Sequence, residues 1–171
     1  FKPKMRELDE LLTNNSIFIS RTQNIGVLPL DVAINYGCSG PMLRGSGINY
    51  DLRRIDAYSV YPELDFEIPI GEGKMGTTGD CWDRFDVRVR EISESIKIAE
   101  QCIERLTQEL KRSPEFDPRA KLPKKLIPKA QEFYCRGEMP KGELGYYFIA
   151  DGKSEKPFRC KARAASFSNL S

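Results

Sequence analysis

Asp80-Cys81-Trp82-Asp83-Arg84-Phe85 opens the stretch that decides the fold, DCWDRFDVRVREISESIKIAEQCIERLTQELKR over residues 80–112. Apolar side chains recur at Trp82, Phe85, Val89, Ile92, Ile96, Ala99, Ile103, Leu106 and Leu110, at alternating steps of three and four. That is the period of one face of an α-helix. The spacing predicts a single helix over about 80–112, roughly 45 Å long at 1.5 Å per residue. Thr78 or Asp80 can cap it, and Asp80 and Asp83 complement the positive end of its dipole. A regular 3.5-residue period with charged outer faces predicts a long core helix in a bundle. A free coiled-coil dimer is the lesser alternative, because glycine-rich loops surround the stripe.

Working outward, Phe1, Met5, Leu8 and Leu12 predict an amphipathic helix over 3–13, stopped by Thr13-Asn14-Asn15-Ser16. Ile17-Phe18-Ile19 is too short to classify. Pro29 suits a first helical turn and Gly37 the residue past a helix over 29–36. Residues 38–79, broken by glycines and by Pro41, Pro62 and Pro69, read as ordered loop, with a short strand from Asp65 to Ile70. Downstream, residues 111–129 hold four prolines and seven basic residues against two acidic ones, so they read as a solvated connection. Phe116 is the sole aromatic there, too little for a nucleic-acid platform. A short helix over 124–134 follows, then a β-hairpin of Leu144–Ala150 and Pro157–Ala162 around Asp151-Gly152. The fold class is α+β, mostly α.

Composition narrows the chemistry. Twenty-seven basic against twenty-five acidic residues leave no global footprint for nucleic acid or an anionic membrane. No apolar run approaches the ~18–20 residues of a membrane span. The cysteines Cys38, Cys81, Cys102, Cys135 and Cys160 lie far apart, without CxxC or zinc-finger spacing. They fit a reducing compartment and a role as small apolar residues. The chain has no histidine, which removes Ser-His-Asp and Cys-His nucleophiles, HExxH sites and histidine shuttles from this stretch. The chain opens at Phe1, not methionine, and Ser171 closely follows a strand-like stretch. The expectation is therefore one domain over 1–171 that is a fragment of a longer chain; a trimmed chain would read the same.

Three groups of residues can carry function. The first is Arg44, the single charge between Asp31 and Asp51, set in Ser39-Gly40-Pro41-Met42-Leu43-Arg44-Gly45-Ser46-Gly47. An always-protonated fork in such apolar surroundings either ties down a buried carboxylate or faces a site, and both readings stand. Gly45-Ser46-Gly47 is no phosphate loop, since no Gly-Lys-Ser/Thr follows. The second is the helix entrance, where Asp80, Asp83 and Arg84 share a turn; Asp80 or Asp83 is the natural partner for Arg44. A cap with surface pairs explains the same spacing. The third is Met139-Pro140-Lys141-Gly142-Glu143-Leu144-Gly145, which reads as a turn entering a strand.

Taken together, Asn35-Tyr36-Gly37-Cys38-Ser39-Gly40-Pro41-Met42-Leu43-Arg44-Gly45-Ser46-Gly47-Ile48, Asp51-Leu52-Arg53, Tyr58-Ser59-Val60-Tyr61, Asp65-Phe66-Glu67-Ile68-Pro69, Gly79-Asp80-Cys81-Trp82-Asp83-Arg84 and Pro140-Lys141-Gly142-Glu143 resemble one family. It is the D-subunit family of the proton-pumping NADH:quinone oxidoreductase, respiratory complex I. The likeness runs from Phe1 to Leu170 in the same segment order. It implies a fold related to nickel–iron hydrogenase large subunits without their metal-binding cysteines. It also implies a quinone headgroup in a cleft against a partner bearing the terminal iron–sulfur cluster. The family's headgroup-binding histidine and tyrosine lie upstream of this stretch, so none of its tyrosines takes that role. By resemblance, no residue here is catalytic and none binds metal. Quinone is shared with partner subunits, and NADH and the clusters belong to other subunits. Arg44, Gly40, Pro41, Asp80, Asp83, Arg84, Lys141 and Glu143 line or support the quinone chamber. The expected partners are other complex I subunits, with membrane contact only through the complex. The expected place is the cytoplasmic side of the inner membrane, the isolated fragment being soluble and inactive.

Two stretches depart from the family pattern. Gly71-Glu72-Gly73-Lys74-Met75-Gly76-Thr77-Thr78 lengthens the loop before the long helix. Ala164-Ala165-Ser166-Phe167-Ser168-Asn169-Leu170 replaces a proline-glycine and puts Asn169 where a histidine is usual. Two rival readings are the large subunit of a related membrane-bound hydrogenase and a non-catalytic helical module that docks through the stripe.

Overall fold

The computed structural model describes residues 2–115, 117, 119 and 123–170. Phe1 and Phe116, used above in a helix stripe and as the linker's aromatic, lie outside the described residues. Helix α1 (Lys2–Leu12) and α2 (Ser16–Thr22) are followed by α3 (Leu30–Asn35), α4 (Pro41–Gly45), α5 (Leu52–Ile55) and a single 3-10 turn (Tyr61–Glu63). Then come α6 (Cys81–Arg112), β1 (Gln131–Met139), β2 (Gly142–Ala150), β3 (Arg159–Arg163) and α7 (Ala165–Asn169). The architecture is a mixed helical and β structure with one three-stranded antiparallel sheet, order β1-β2-β3.

The stripe forms the long helix it predicts. Asp80 is the N-cap of α6, its side chain accepting from the Asp83 amide, and Asp83 sits in the first turn. Burial, however, is confined to the N-terminal half. Trp82, Asp83, Val87 and Glu94 are buried, and Phe85 meets Phe18 of α2 edge-on at 4.7 Å. Ile103 is 65 % exposed, and Leu106 and Leu110 are exposed as well. The expected bundle is not formed by the described residues. The principal partners of α6 in this chain are α4 and α2, and a 3.5-residue seam does not say where its other side comes from.

Asn15 caps α2, accepting from the amides of Ile17 and Phe18, so the residues that stop α1 also start a helix. Pro29 and Gly37 bracket α3 as expected, Gly37 at φ +65°. The 38–79 region holds two short helices as well as loop. Ala33, Cys38 and Leu43 make a small core there, with Leu28, Ile48 and Tyr50 against it. Asp65 to Ile70 is not a strand. Its backbone partners are side chains of α6 and, at the Phe66 carbonyl, Arg54 of α5 at 2.6 Å. Gln101 accepts from the Asp65 amide at 2.8 Å and donates to its carbonyl at 2.6 Å, and Glu94 accepts from the Glu67 amide at 2.9 Å.

The helix expected over 124–134 is a misreading, since residues 131–139 form β1. Pro128 removes a helical amide, while Phe133 and Tyr134 suit a pleated surface. Nine cross-strand pairs with β2, from Gln131↔Ala150 to Met139↔Gly142, outweigh any local helical preference. The hairpin of β2 and β3 around Asp151-Gly152 stands, in register Gly145↔Arg163 to Ile149↔Arg159.

Candidate functional site

Arg44 lies in the last turn of α4 and is 2 % exposed. Gly40 leads into that helix at φ +65°, and Pro41 occupies its first turn, where a missing N–H costs nothing. From this fixed start the guanidinium reaches three other elements. Its Nε donates to Glu91 Oε1 of α6 at 2.6 Å. Its Nη1 donates to Glu138 Oε1 of β1 at 2.8 Å and to the Tyr50 carbonyl at 2.9 Å, with Asp51 Oδ2 at 3.4 Å. Arg53 forks onto Asp51 at 2.9 and 2.7 Å, while the second Glu138 oxygen accepts from the Leu52 amide at 3.3 Å. Two guanidiniums thus face three carboxylates, and the group joins α4, α5, α6 and β1.

Burial works against the charge of Arg44, but Glu91 and Glu138 outweigh it and raise its pKa. Burial pushes the Glu138 carboxyl up, against the pull of Arg44. A cavity of about 500 Å³ opens beside the group, with Arg53, Arg88, Glu91, Glu138 and Pro140 in its wall. Arg44 commits Nε and Nη1 to protein acceptors and is itself part of the cavity wall.

Asp80 and Asp83 are not the partners of Arg44, contrary to expectation. Their carboxylates are taken by backbone amides. Asp80 accepts from the amides of Asp83 and Asn24 at 2.9 and 2.7 Å. Asp83 accepts from Gly73 at 3.0 Å and Gly79 at 3.2 Å, so the 71–78 loop is wound around it. Arg84 also lacks a carboxylate partner among the described residues. It donates to the carbonyls of Gly79 and Gly26, and its Nη2 lies 3.1 Å from Cys81 Sγ. The two acid groups still touch through the backbone, because the Gly71 amide donates to the Arg44 carbonyl at 2.8 Å.

Lys141 and Glu143 flank the turn between β1 and β2. A Cβ on Gly40 would lie 2.5 Å from the Gly142 nitrogen, so the start of α4 and this turn are in backbone contact. Ser39 Oγ accepts from the Glu143 amide and from Arg163, each at 3.0 Å. Tyr134 donates its hydroxyl to Glu143 at 3.2 Å, and Arg163 donates to the Glu143 carbonyl at 2.7 Å. Asn169 holds the same corner. It accepts from the Ser39 amide and donates to the Ser39 and Lys141 carbonyls at 3.3 and 2.8 Å. Lys141 itself is exposed, and its contribution here is that carbonyl.

The structure therefore brings Gly40, Pro41, Arg44 and Glu143 into one corner and sets Asp80, Asp83 and Arg84 at a neighbouring one. Glu91 and Glu138 were not singled out in the sequence, and Asp51 was noted only within a motif. The one signal was the need of a buried arginine for acids, which does not say which acids.

Residues 1–171 match the family described as respiratory-chain NADH dehydrogenase, 49 Kd subunit. The chain belongs to that family. It is 63 % identical over 170 residues to the NADH-quinone oxidoreductase D-subunit 1 of Cytophaga hutchinsonii, covering 99 % of this chain and 43 % of that protein. The corresponding D-subunit of Amoebophilus asiaticus is 60 % identical over 170 residues, with 99 % and 42 % covered. That of Chlorobaculum tepidum is 58 % identical over 171 residues, with 100 % and 42 % covered. The chain spans about two fifths of the length of these relatives. Among its described residues no group of three or more His, Cys, Asp or Glu side chains is arranged to hold a metal ion. No helix among them is long and apolar enough to cross a membrane.

Proposed function

We propose that this chain is one domain-sized part of the D-subunit of an NADH:quinone oxidoreductase, within a larger fold like that of nickel–iron hydrogenase large subunits. The parent complex passes electrons from NADH through iron–sulfur clusters to a quinone, coupled to proton translocation. This chain contributes a stiff wall to the quinone chamber, beside the subunit that carries the terminal cluster. NADH and the clusters are held by other subunits, the quinone is shared, and this part alone is inactive. Its place is the cytoplasmic face of the membrane, reached through the other subunits. The observation that carries the reading is the family match over the whole chain. The Arg44 group supports the structural role, because a guanidinium spent on three elements fixes the loops around it. No observation favours the hydrogenase reading or the docking-module reading.

Arg44→Met in the complete subunit tests this. Assembly of the complex and NADH:quinone reduction are both expected to fall. Unchanged assembly with unchanged quinone reduction would show that Arg44 organises nothing of the redox site.

A further inference from the structure

The cavity of about 500 Å³ beside the Arg44 group is walled by three arginines, Arg44, Arg53 and Arg88. Each keeps guanidinium donors in reserve. Arg44 gives Nε to Glu91 and Nη1 to Glu138 and the Tyr50 carbonyl, but Nη2 donates to nothing among the described residues. Although the side chain is only 2 % exposed, Nη2 is not one of the sealed polar atoms without a partner. It therefore retains an opening, and the open space that Arg44 lines is this cavity. Arg53 gives Nε and Nη2 to Asp51, which leaves Nη1. Arg88 gives Nη1 to the Arg84 carbonyl at 2.6 Å and forms no ion pair among the described residues. The two acids of the wall, Glu91 and Glu138, already serve Arg44.

Charge points the same way. Arg44, Arg53 and Arg88, with Arg84 one turn before Arg88, stand against Asp51, Glu91 and Glu138. One positive charge is left over, at Arg88. Partial burial lowers the Arg88 pKa, and the like charges of Arg84 and Arg44 lower it too, against the pull of Glu91. Buried donors are almost always satisfied in folded proteins. Water can satisfy Arg44 Nη2 but leaves the surplus charge, whereas a carboxylate answers both. Its two oxygens match the fork of a guanidinium. A phosphate group, at about −1.5 to −2, would exceed the charge to be balanced.

We propose that this cavity binds one carboxylate group, held by Arg44 Nη2 and Arg88 with Arg53 beside them. Two sources share that chemistry: an Asp or Glu side chain outside these 171 residues, and a free small carboxylic acid. The inference does not rest on the quinone-chamber reading, and its failure leaves that reading intact.

Two measurements on the complete subunit in its assembled complex test it. In the first, Arg88→Lys supplies an amine, and a carbodiimide joins that amine to a carboxylate in direct contact. If a side chain fills the cavity, peptide mapping is expected to find the new amide on an Asp or Glu outside residues 1–171. The amount of assembled subunit is the folding control for this variant. In the second, phenylglyoxal labels the unsubstituted protein with and without acetate at constant ionic strength. If the site takes a free acid, labelling of Arg88 is expected to slow about three-fold with acetate at twice its dissociation constant. The exposed Arg112 should label at an unchanged rate. Each of these results supports the proposal and identifies the source. The proposal is overturned if the amide reaches only Glu91 or Glu138, or does not form, and acetate slows Arg88 no more than Arg112. The cavity then holds water alone.

Discussion

Two groups of buried acids lie against the N-terminal half of α6 and are built on opposite principles. Around Arg44, three carboxylates from distant elements converge on two guanidiniums. At the helix entrance, Asp80 and Asp83 form no ion pair among the described residues and are satisfied by amides of their own turn and of the adjoining loops. The first group is held by charge and joins separate elements. The second is held by backbone hydrogen bonds and shapes one loop. Losing a partner should therefore cost most in the first group, because it strands ions and not only dipoles.

Arg44→Met probes that difference at its extreme. It leaves Glu138 buried without its cation, while Asp51 keeps Arg53, for an expected loss of about 3–5 kcal/mol in denaturant unfolding. Arg44→Lys should recover less than half, since one ammonium cannot span Glu91, Glu138 and the Tyr50 carbonyl together. Full rescue by lysine would reduce the group to net charge alone.

Gly40→Ala asks whether geometry rivals charge. The new Cβ would meet the Gly142 nitrogen at 2.5 Å with φ at +65°. Overpacking and the left-handed backbone together predict a loss of roughly 2–4 kcal/mol, read by thermal unfolding. A wild-type melting curve would mean that the two turns part freely. At the helix entrance, Asp83→Ala should cost about 1–3 kcal/mol and speed hydrogen exchange at the Gly73 and Gly79 amides. Slow exchange at both would show that the 71–78 loop holds itself.

How much of this was legible follows from the same contrast. The α6 cap could be read from Asp80, Asp83 and the stripe, because cap and helix are neighbours in sequence. The partners of Arg44 could not, since Glu138 is 94 residues away and nothing local marks it among twenty-five acids. Strand β1 was hidden for a related reason. Its pattern from Gln131 to Met139 becomes a strand through pairing with β2, and Glu138, turned into the Arg44 group, breaks the usual alternation of apolar-in and polar-out. Asn169 was seen as a departure from the family pattern, yet its three hydrogen bonds to Ser39 and Lys141 needed the fold.

Two glutamates at α6 should also differ in pH response. Burial raises the Glu138 pKa above that of the unfolded chain, so the folded state binds a proton more tightly. Its contribution to stability then declines as pH rises from the ordinary glutamate range through the raised value. Glu94 has the opposite sign. Burial raises its pKa, but the Glu67 amide and Lys97 outweigh that and lower it, so its contribution is lost as pH falls through the lowered value. Carboxyl carbon-13 titration should place Glu138 above Glu94, and Glu138→Gln should delete the higher transition. A single shared midpoint would erase the distinction.

The smallest effect is expected where α6 leaves both groups behind. Ile103 belongs to the same stripe as Trp82, but in this chain it is 65 % exposed while Trp82 is buried. Truncating an exposed isoleucine changes stability by no more than about 0.5 kcal/mol, against roughly 2–5 kcal/mol for a buried one. Ile103→Ala should therefore leave the unfolding of the 171-residue chain nearly unchanged. The same substitution in the complete subunit separates two origins of the stripe. A loss above about 2 kcal/mol there means that the remaining polypeptide supplies the other side of the seam. A negligible loss in both means that the period of three and four, read from the sequence as a core signal, marks in its C-terminal half a helix face without a partner in its own subunit.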